Sequence, residues 1–118
     1  MKYFFYFAAV LSACAAVYHV AAILSHTDNS PVWRHMLFCF ISITGAWALV
    51  KRPSWLFYPL IVLTLQQLYS HGTYLFVKYR DEHSIHWISV GVLILMPVIT
   101  YAVWIDRKRN QAKVQKHL

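Results

Sequence analysis

Four long apolar segments dominate this sequence and leave few folds open to it. They lie at Tyr3–Leu24, Trp33–Val50, Trp55–Val77 and Ile85–Ile105. Each is close to the length of about 20 mostly apolar residues that a helix needs to cross a bilayer. Apart from Arg34, none of them contains Asp, Glu, Lys or Arg. We therefore predict an all-α membrane protein in which four transmembrane helices form an antiparallel up-down bundle with short loops.

Composition leaves little room for a soluble domain. Of the 118 residues, 59% are hydrophobic and only 13% are charged, whereas soluble domains carry about 25% charged residues. The whole chain is therefore predicted to be a single membrane domain, with spans near residues 3–24, 33–50, 55–77 and 85–105. Residues 106–118 are left as a basic tail.

The basic residues predict an orientation. With four spans, both termini and the Lys51–Arg52 loop share one side of the membrane, and that side carries eight of the 11 Lys and Arg residues. The positive-inside rule then places the N- and C-termini in the cytoplasm, in a bacterial-type inner (plasma) membrane. The tail is predicted to contact anionic lipid rather than a specific nucleic acid.

The start of the chain allows one alternative. The sequence LSAC at residues 11–14 matches the lipobox of a bacterial lipoprotein, and cleavage there would remove the first span. The apolar run nevertheless continues from Cys14 to Leu24, where lipoproteins usually become polar. We therefore predict an uncleaved first span. Cys14 and Cys39 lie within spans, so we predict that they act as small apolar packing residues and do not form a disulfide.

Local signals predict where helices begin and bend. Ser30 is a candidate N-cap for the second helix, with Pro31 in its first turn, and Ser84 is a candidate cap before the fourth helix. Pro97 lies inside the fourth segment and predicts a bend there.

Histidine is the most unusual residue in this chain, and its distribution is informative. Six of the seven histidines lie at or near the outer side in the predicted topology. His19, His35, His71 and His86 fall one per helix and at a similar depth. Each also lies on the helix stripe that we predict to face inward, so the four imidazoles are predicted to converge in the outer half of the bundle.

A polar stripe on the third span extends this prediction. Thr64, Gln67, His71 and Tyr74 follow a 3-4-3 spacing and therefore share one helix face. Together with His19, the residues Gln67, His71 and Tyr74 are predicted to bind haem b or a quinone-like ligand. Gly72, beside His71, predicts close approach of another helix.

Neutral imidazole is a good ligand for zinc, copper and iron, and facing helices of a bundle often supply such ligands. His83 lies three residues before His86, a spacing that predicts two imidazoles on one helix face. The predicted metal ligands are His19, His35, His71, His83 and His86. The predicted cofactor is zinc, copper, iron or haem; in the competing interpretation there is none, and the histidines form a structural polar layer.

Two classes of function follow. The first is a ligand-binding bundle that holds a metal, haem or quinone in the outer leaflet. The second is a non-catalytic accessory, assembly or immunity-type subunit that docks onto a larger membrane complex or forms a homo-oligomer. An enzyme is the weaker hypothesis, because the sequence has no HExxH motif, no GxSxG motif and no acidic pair within the spans.

Overall fold

The computed structural model describes residues 1–26 and 29–118, and within these ranges the chain is helical and has no strand. Its helices are α1 (Lys2–Ser25), α2 (Val32–Lys51), α3 (Phe57–Glu82) and α4 (Trp87–Lys116). Three of them, α1, α2 and α4, are long and apolar enough to cross a membrane. The prediction of an all-helical chain built on membrane-spanning segments is confirmed to that extent.

Helix α3 differs from the other three in composition. It is not among the helices whose hydropathy suits a span, because its central part carries polar side chains such as Gln66, Gln67 and His71. It also continues five residues past the predicted end at Val77 and so includes a charged last turn. A third crossing by α3 therefore stays a prediction.

The chain divides into two compact units, Met1–Pro53 and Ser54–Leu118. In the first unit α1 packs against α2, and in the second α3 packs against α4. Each unit is thus a helical hairpin, and they are called the first hairpin and the second hairpin below. Neighbouring helices within each hairpin run antiparallel because their connections are short.

Small side chains let α1 and α2 approach closely in the first hairpin. Its buried alanines are Ala8, Ala9, Ala16, Ala22 and Ala48. The Ser12 hydroxyl donates a hydrogen bond to the Ser42 carbonyl oxygen at 2.8 Å, and a Cβ atom at Gly45 would lie only 3.2 Å from Ser12 Oγ. Small residues permit this kind of close backbone approach between membrane helices.

The second hairpin is joined by branched side chains and hydroxyls. Leu60, Ile99 and Val103 are buried, and the hydroxyl oxygens of Thr64 and Thr100 lie 2.6 Å apart. Gly72 makes no close approach to α4 within this hairpin, because a Cβ atom there would meet Leu93 Cδ2 at an ordinary 4.0 Å; approach by any other helix stays a prediction.

The helix ends correct two predicted caps. Pro31, not Ser30, occupies the N-cap position of α2 and makes no side-chain cap hydrogen bond. His86, not Ser84, is the N-cap of α4, while the Ser84 hydroxyl donates to Glu82 Oε2 at 3.3 Å. The start of α4 lies two residues later than predicted because an imidazole nitrogen can cap a helix as a serine hydroxyl does.

Helix α4 runs through Pro97 and continues to Lys116, so most of the predicted tail is helical. At 1.5 Å per residue its 30 residues extend about 45 Å, which is longer than a bilayer core. Beyond the apolar part, Arg107 donates to the Tyr58 hydroxyl at 2.9 Å, and Lys108 lies 4.1 Å from the ring centroid of Trp104.

Candidate functional site

Two histidines from different helices meet directly in the first hairpin. The Nδ1 atoms of His19 on α1 and His35 on α2 lie 3.1 Å apart. His35 is buried, with 5% of its surface exposed. The ring of Phe38 stacks on His19 with centroids 5.6 Å apart, and the Arg34 guanidinium lies 5.9 Å from the centroid of Phe38. The pair is therefore held between an aromatic ring and the helix interface.

Helical spacing explains why these two residues meet. His19 follows Ser12 by seven residues on α1, and His35 precedes Ser42 by seven on α2. Seven residues are about two helical turns, or roughly 10 Å along the axis. Because the helices are antiparallel and Ser12 contacts Ser42, the two histidines lie at the same level as each other. That level is about two helical turns nearer the α1–α2 connection. The inward stripes predicted for α1 and α2 are confirmed at these residues.

The 3.1 Å separation limits what the pair can do chemically. A hydrogen bond between two Nδ1 atoms needs a proton on one and a lone pair on the other, so the pair suits two neutral rings or one cation, but not two cations. Two nitrogens bound about 2.0–2.1 Å from a tetrahedral zinc ion would lie roughly 3.3–3.4 Å apart. The observed distance is therefore close to that of two ligands on one small ion.

The second hairpin joins its histidines through a serine. His71 Nδ1 on α3 lies 2.9 Å from Ser89 Oγ on α4, and His86 Nδ1 lies 2.9 Å from the same oxygen. Ser89 is fully buried. His86 also caps α4, because its Nδ1 accepts the backbone N–H of Ser89 at 3.3 Å. These contacts form one chain, His71–Ser89–His86, near the end of the hairpin.

The proton positions in this chain follow from the cap. Since His86 Nδ1 accepts the Ser89 N–H, a neutral His86 carries its proton on Nε2. The Ser89 hydroxyl then donates to His86 Nδ1, and its oxygen accepts from His71 Nδ1–H. A neutral His71 consequently has its lone pair on Nε2.

Tyr74 and Gln67, the other two residues predicted to bind a cofactor on α3, differ in the contacts that they make. Tyr74 packs edge-on against His86, with centroids 5.1 Å apart. The Gln67 amide donates to Gln66 Oε1 at 2.8 Å, within α3 itself. The predicted stripe is thus confirmed for Thr64, His71 and Tyr74, which all contact α4 residues, whereas Gln67 makes its hydrogen bond along its own helix.

The interpretation of His83 and His86 as two imidazoles on one helix face is wrong. His83 ends α3 in the left-handed region with φ 50°, and residues 83–86 are not helical. His83 is exposed and packs edge-on against Tyr79 at 6.3 Å. The sequence HSIH marks a turn between helices rather than part of one.

Acidic residues near the end of α3 are paired with bases. Glu82 lies 3.2 Å from Lys78 Nζ, and its hydrogen bond and charge raise the pKa of that lysine. Asp81 lies 2.6 Å from Arg80 Nε, and its hydrogen bond raises the pKa of the guanidinium. The carboxylates of Asp81 and Glu82 therefore serve surface ion pairs. Asp28 lies outside the described residues.

Among residues 1–26 and 29–118, no three His, Cys, Asp or Glu side chains are grouped so as to hold a metal ion. Cys14 and Cys39 are free thiols; Cys39 is half-buried, whereas Cys14 is exposed on the hairpin surface rather than packed as a filler. The convergence of His19, His35 and His71 with His86 on a common point involves both hairpins and stays a prediction.

Sequence reasoning missed Ser89, the residue that links the histidines of the second hairpin. The available signal was its position three residues after His86, which is where an N-cap side chain finds a backbone N–H to accept. Taking Ser84 as the cap hid this relationship. A fully buried serine beside two imidazoles is the strongest polar feature of that hairpin.

A scan against protein-family models and searches of curated proteins and of solved structures found no match to this chain.

Proposed function

We propose that this protein crosses a membrane four times and binds a transition-metal ion through His19 and His35, near the outer side. The observation that carries the proposal is the 3.1 Å distance between their Nδ1 atoms. Two imidazole nitrogens contributed by different helices face each other at nearly the separation that a shared small ion would impose. Two further donors, water among them, complete a tetrahedral set.

The same distance favours zinc or copper over haem. The two axial ligands of a haem iron lie on opposite faces of the porphyrin, which separates them by the metal and its ring plane. The nitrogens of His19 and His35 lie directly against each other, as neighbouring ligands of one ion do. Imidazole is a ligand for both zinc and copper, so the pair by itself indicates a transition-metal ion without distinguishing these two elements.

The membrane topology rests on the outer surfaces of the hairpins. Large apolar side chains remain exposed on both, among them Phe7, Val17, Phe40, Trp47, Tyr69, Phe76, Ile88 and Tyr101. Contact with lipid accounts for so much exposed apolar surface. Helix α3 is included as a span because two of its polar side chains, Thr64 and His71, contact α4.

Cations lie over aromatic rings at the hairpin ends that carry the chain termini. Arg52 lies 5.3 Å from the ring centroid of Phe5 in the first hairpin. In the second hairpin Arg107 lies 4.7 Å from that of Tyr58. Long basic side chains that reach the membrane interface beside aromatic residues are typical of a span end. With the excess of basic residues, this supports cytoplasmic termini in a plasma membrane.

The metal proposal is tested by purification without a histidine tag. The full chain, taken into detergent with a non-histidine affinity tag, is dialysed against zinc or copper and analysed by inductively coupled plasma mass spectrometry and visible spectroscopy. We expect about one ion per chain and no Soret band. Matched variants are H19Q and H35Q, which keep a polar side chain, and H26A and H117A, which remove exposed histidines outside the pair.

The variants decide the outcome. Loss of the bound ion in H19Q and H35Q, with H26A and H117A unchanged, supports the proposal. An unmodified chain that takes up no ion, or a double H19Q/H35Q variant that still binds one, would overturn it. A Soret band that disappears with H71Q would point to haem instead.

The accessory-subunit hypothesis predicts a face of small residues left open for a partner. In the first hairpin, Ala8, Ala16 and Ala48 are buried and serve packing within the chain, whereas Ala13 and Ala21 of α1 are exposed. A partner that copurifies in stable stoichiometric amount with the untagged chain would favour this second hypothesis.

A further inference from the structure

Helix α3 carries a second regular stripe of side chains, on the side away from α4. Two residues along a helix turn it by about 200°. Tyr69 comes two residues before His71, and Gln66 comes two residues after Thr64, so both lie roughly opposite the contacts of α3 with α4. The members of this outer stripe are all exposed and follow a 4-3-4-3-4 spacing: Val62, Gln66, Tyr69, Thr73, Phe76 and Arg80.

The spacing of the outer stripe is that of a seam between two helices. Alternating steps of three and four residues keep one side of a helix against a partner along its whole length, and helices in membranes mostly pack at the same shallow angle as coiled coils. From Val62 to Arg80 the outer stripe extends about 27 Å at 1.5 Å per residue, which is most of the thickness of a hydrocarbon core. It therefore offers an interface that runs through the membrane.

Gln66 is the member of the outer stripe that is least suited to lipid. It lies 11 residues from both Trp55 and Val77, the ends of the predicted span, and so at mid-membrane. Its Oε1 atom accepts a hydrogen bond from the Gln67 amide at 2.8 Å, but its side chain is exposed. Lipid tails offer no acceptor to the Gln66 NH2 group, and an unsatisfied polar group is costly in hydrocarbon. A partner that supplies an acceptor at this depth removes that cost.

We propose that the outer stripe of α3 is the interface of a parallel homodimer, in which it packs against the same stripe of a second copy of this chain. This inference rests on the proposed crossing of the membrane by α3, but not on metal binding by the first hairpin. Two copies with one topology are related by a two-fold axis along the membrane normal, which places each residue of the stripe opposite its own counterpart at the same depth.

The chemistry of Gln66 selects a second copy as the partner. A glutamine side chain contains both donors and an acceptor, so Gln66 complements its own counterpart across the two-fold axis. A single amide at one position of such a seam also fixes the register and the number of helices. An unlike partner has to supply its own polar group at the depth of Gln66, whereas a second copy supplies one by symmetry.

The charge at the end of the outer stripe is compatible with two copies. Arg80 is the charged member of the stripe, and its guanidinium donates to both carboxylate oxygens of Asp81, at 2.6 and 3.1 Å. Each copy therefore brings a neutralised pair to the axis, so that two guanidinium groups do not meet as bare cations.

Disulfide formation within membranes tests the interface. The native thiols of the full chain are removed as C14A and C39A, and a single cysteine is introduced as Y69C or T73C. After mild oxidation with diamide, we expect both variants to give a covalent product of twice the monomer mass, because each new thiol lies opposite its own counterpart near the axis.

I94C in the same background is the matched control. Ile94 of α4 has 63% of its surface exposed and lies nine residues after Ile85, the predicted start of its span. Its depth is therefore close to that of Tyr69, which lies eight residues before Val77. We expect no double-mass product from I94C, since it is exposed at the same level of the membrane but lies outside the outer stripe.

Sedimentation equilibrium in density-matched micelles tests the role of the amide. We expect Q66L, which removes the amide and keeps an apolar side chain of similar size, to raise the Kd of the dimer about threefold to tenfold, as the loss of one or two hydrogen bonds between membrane helices predicts. Q67L is the matched control, because Gln67 makes its hydrogen bond along its own helix. We expect Q67L to change the Kd less than twofold.

The outcomes decide between a second copy and other partners. Absence of the double-mass product from both Y69C and T73C, or an equal yield of it from I94C, would overturn the proposal. A cross-linked product of any other mass would also overturn it, because the outer stripe would then face an unlike partner. A Kd that is the same for Q66L and the unmodified chain would remove the part assigned to the amide and contradict the self-complementary contact.

Labelling with a membrane-impermeant maleimide tests the crossing by α3 separately. Single cysteines are placed as S54C and H83C, at exposed positions before and after α3. Labels on opposite sides of the membrane with no cross-link from Y69C or T73C would refute the dimer alone. Labels on one side would refute the crossing and the dimer together. H35Q is expected to leave the yield from Y69C unaltered, which separates this result from that of the metal experiment.

Discussion

The two hairpins bring their histidines together in different ways. Each places histidines from both of its helices at the end near its connection. In the first hairpin the rings touch directly, with Nδ1 atoms 3.1 Å apart. In the second a serine hydroxyl stands between them, 2.9 Å from each. The first arrangement places two Nδ1 atoms directly against each other, whereas in the second both Nδ1 atoms contact the same serine oxygen.

This difference follows from packing. The alanines of the first hairpin and the contact of Ser12 with Gly45 let its helices approach closely enough for two imidazoles to meet. The second hairpin is packed with larger side chains such as Leu60, Ile99 and Val103, and a serine fills the gap between its histidines. Direct contact suits a shared ion, whereas the serine hydroxyl joins the two rings of the second hairpin through one buried side chain.

Zinc should distinguish the hairpins most strongly. A ligand present at 100 times its dissociation constant stabilises the state that binds it by about 2.7 kcal/mol. We expect this concentration of zinc to raise the melting temperature of the detergent-solubilised chain, measured by intrinsic fluorescence, and to do so equally in S89A. The increase should be absent from H35Q. Equal increases in H35Q and the unmodified chain would place the zinc elsewhere.

Glycine substitutions should reveal the difference in packing. Replacing Gly45 with Leu forces its side chain against Ser12 Oγ, already 3.2 Å from a Cβ atom there, and overpacking of this kind costs about 1–3 kcal/mol. Gly91 of α4 has nothing within 4 Å of its Cβ position, so G91L is the matched control. We expect a lower melting temperature for G45L and little change for G91L. Equal losses would contradict the closer packing inferred for the first hairpin.

Periodicity explains why much of each hairpin was predictable. The apolar segments predicted the helices to within about two residues at most of their ends, because every backbone polar group in a span must be bonded within the helix. The inward faces of His19, His35 and His71 followed from 3.6-residue spacing, since a buried polar stripe must contact a neighbour. The helical continuation of α4 to Lys116 was not predicted, because the tail has no apolar period.

The details that sequence alone did not predict depend on which residues are neighbours in space. Whether two histidines bond each other or share a serine depends on the gap between helices, which is set by side chains elsewhere along the interface. Ser89 was overlooked for this reason, although it lies on the same helix as His86. The helical prediction for HSIH was wrong because His83 takes a left-handed backbone conformation, which the spacing of residues in the sequence does not predict.

Hydroxyl contacts in the middle of each hairpin should contribute smaller and similar amounts. Ser12 donates to the Ser42 carbonyl oxygen in the first, and Thr64 and Thr100 share a hydrogen bond in the second. Side-chain hydrogen bonds between membrane helices contribute about 0.6 kcal/mol on average. We expect S12A and T64V to lower the melting temperature slightly and to the same degree. A much larger loss in T64V would show that the second hairpin depends on its hydroxyls for stability.

The smallest expected difference concerns the last turns of α1 and α3. Both helices end on a histidine in the left-handed conformation, but among the described residues only α3 has an ion pair there, between Lys78 and Glu82. Glu82 raises the pKa of Lys78 above its ordinary value of 10.5. The pair therefore contributes its full stability below pH 10.5 and loses it as the pH rises through the elevated pKa of the folded state.

Carbon-13 Cα shifts should show the end of α3 fraying over that interval. K78M, which lacks the charge, should show no such change, and an identical response in K78M would assign the effect to another group. Because Glu82 is exposed and Lys78 is only half-buried, high salt should weaken the response, whereas it should leave the part-buried histidine contacts unchanged.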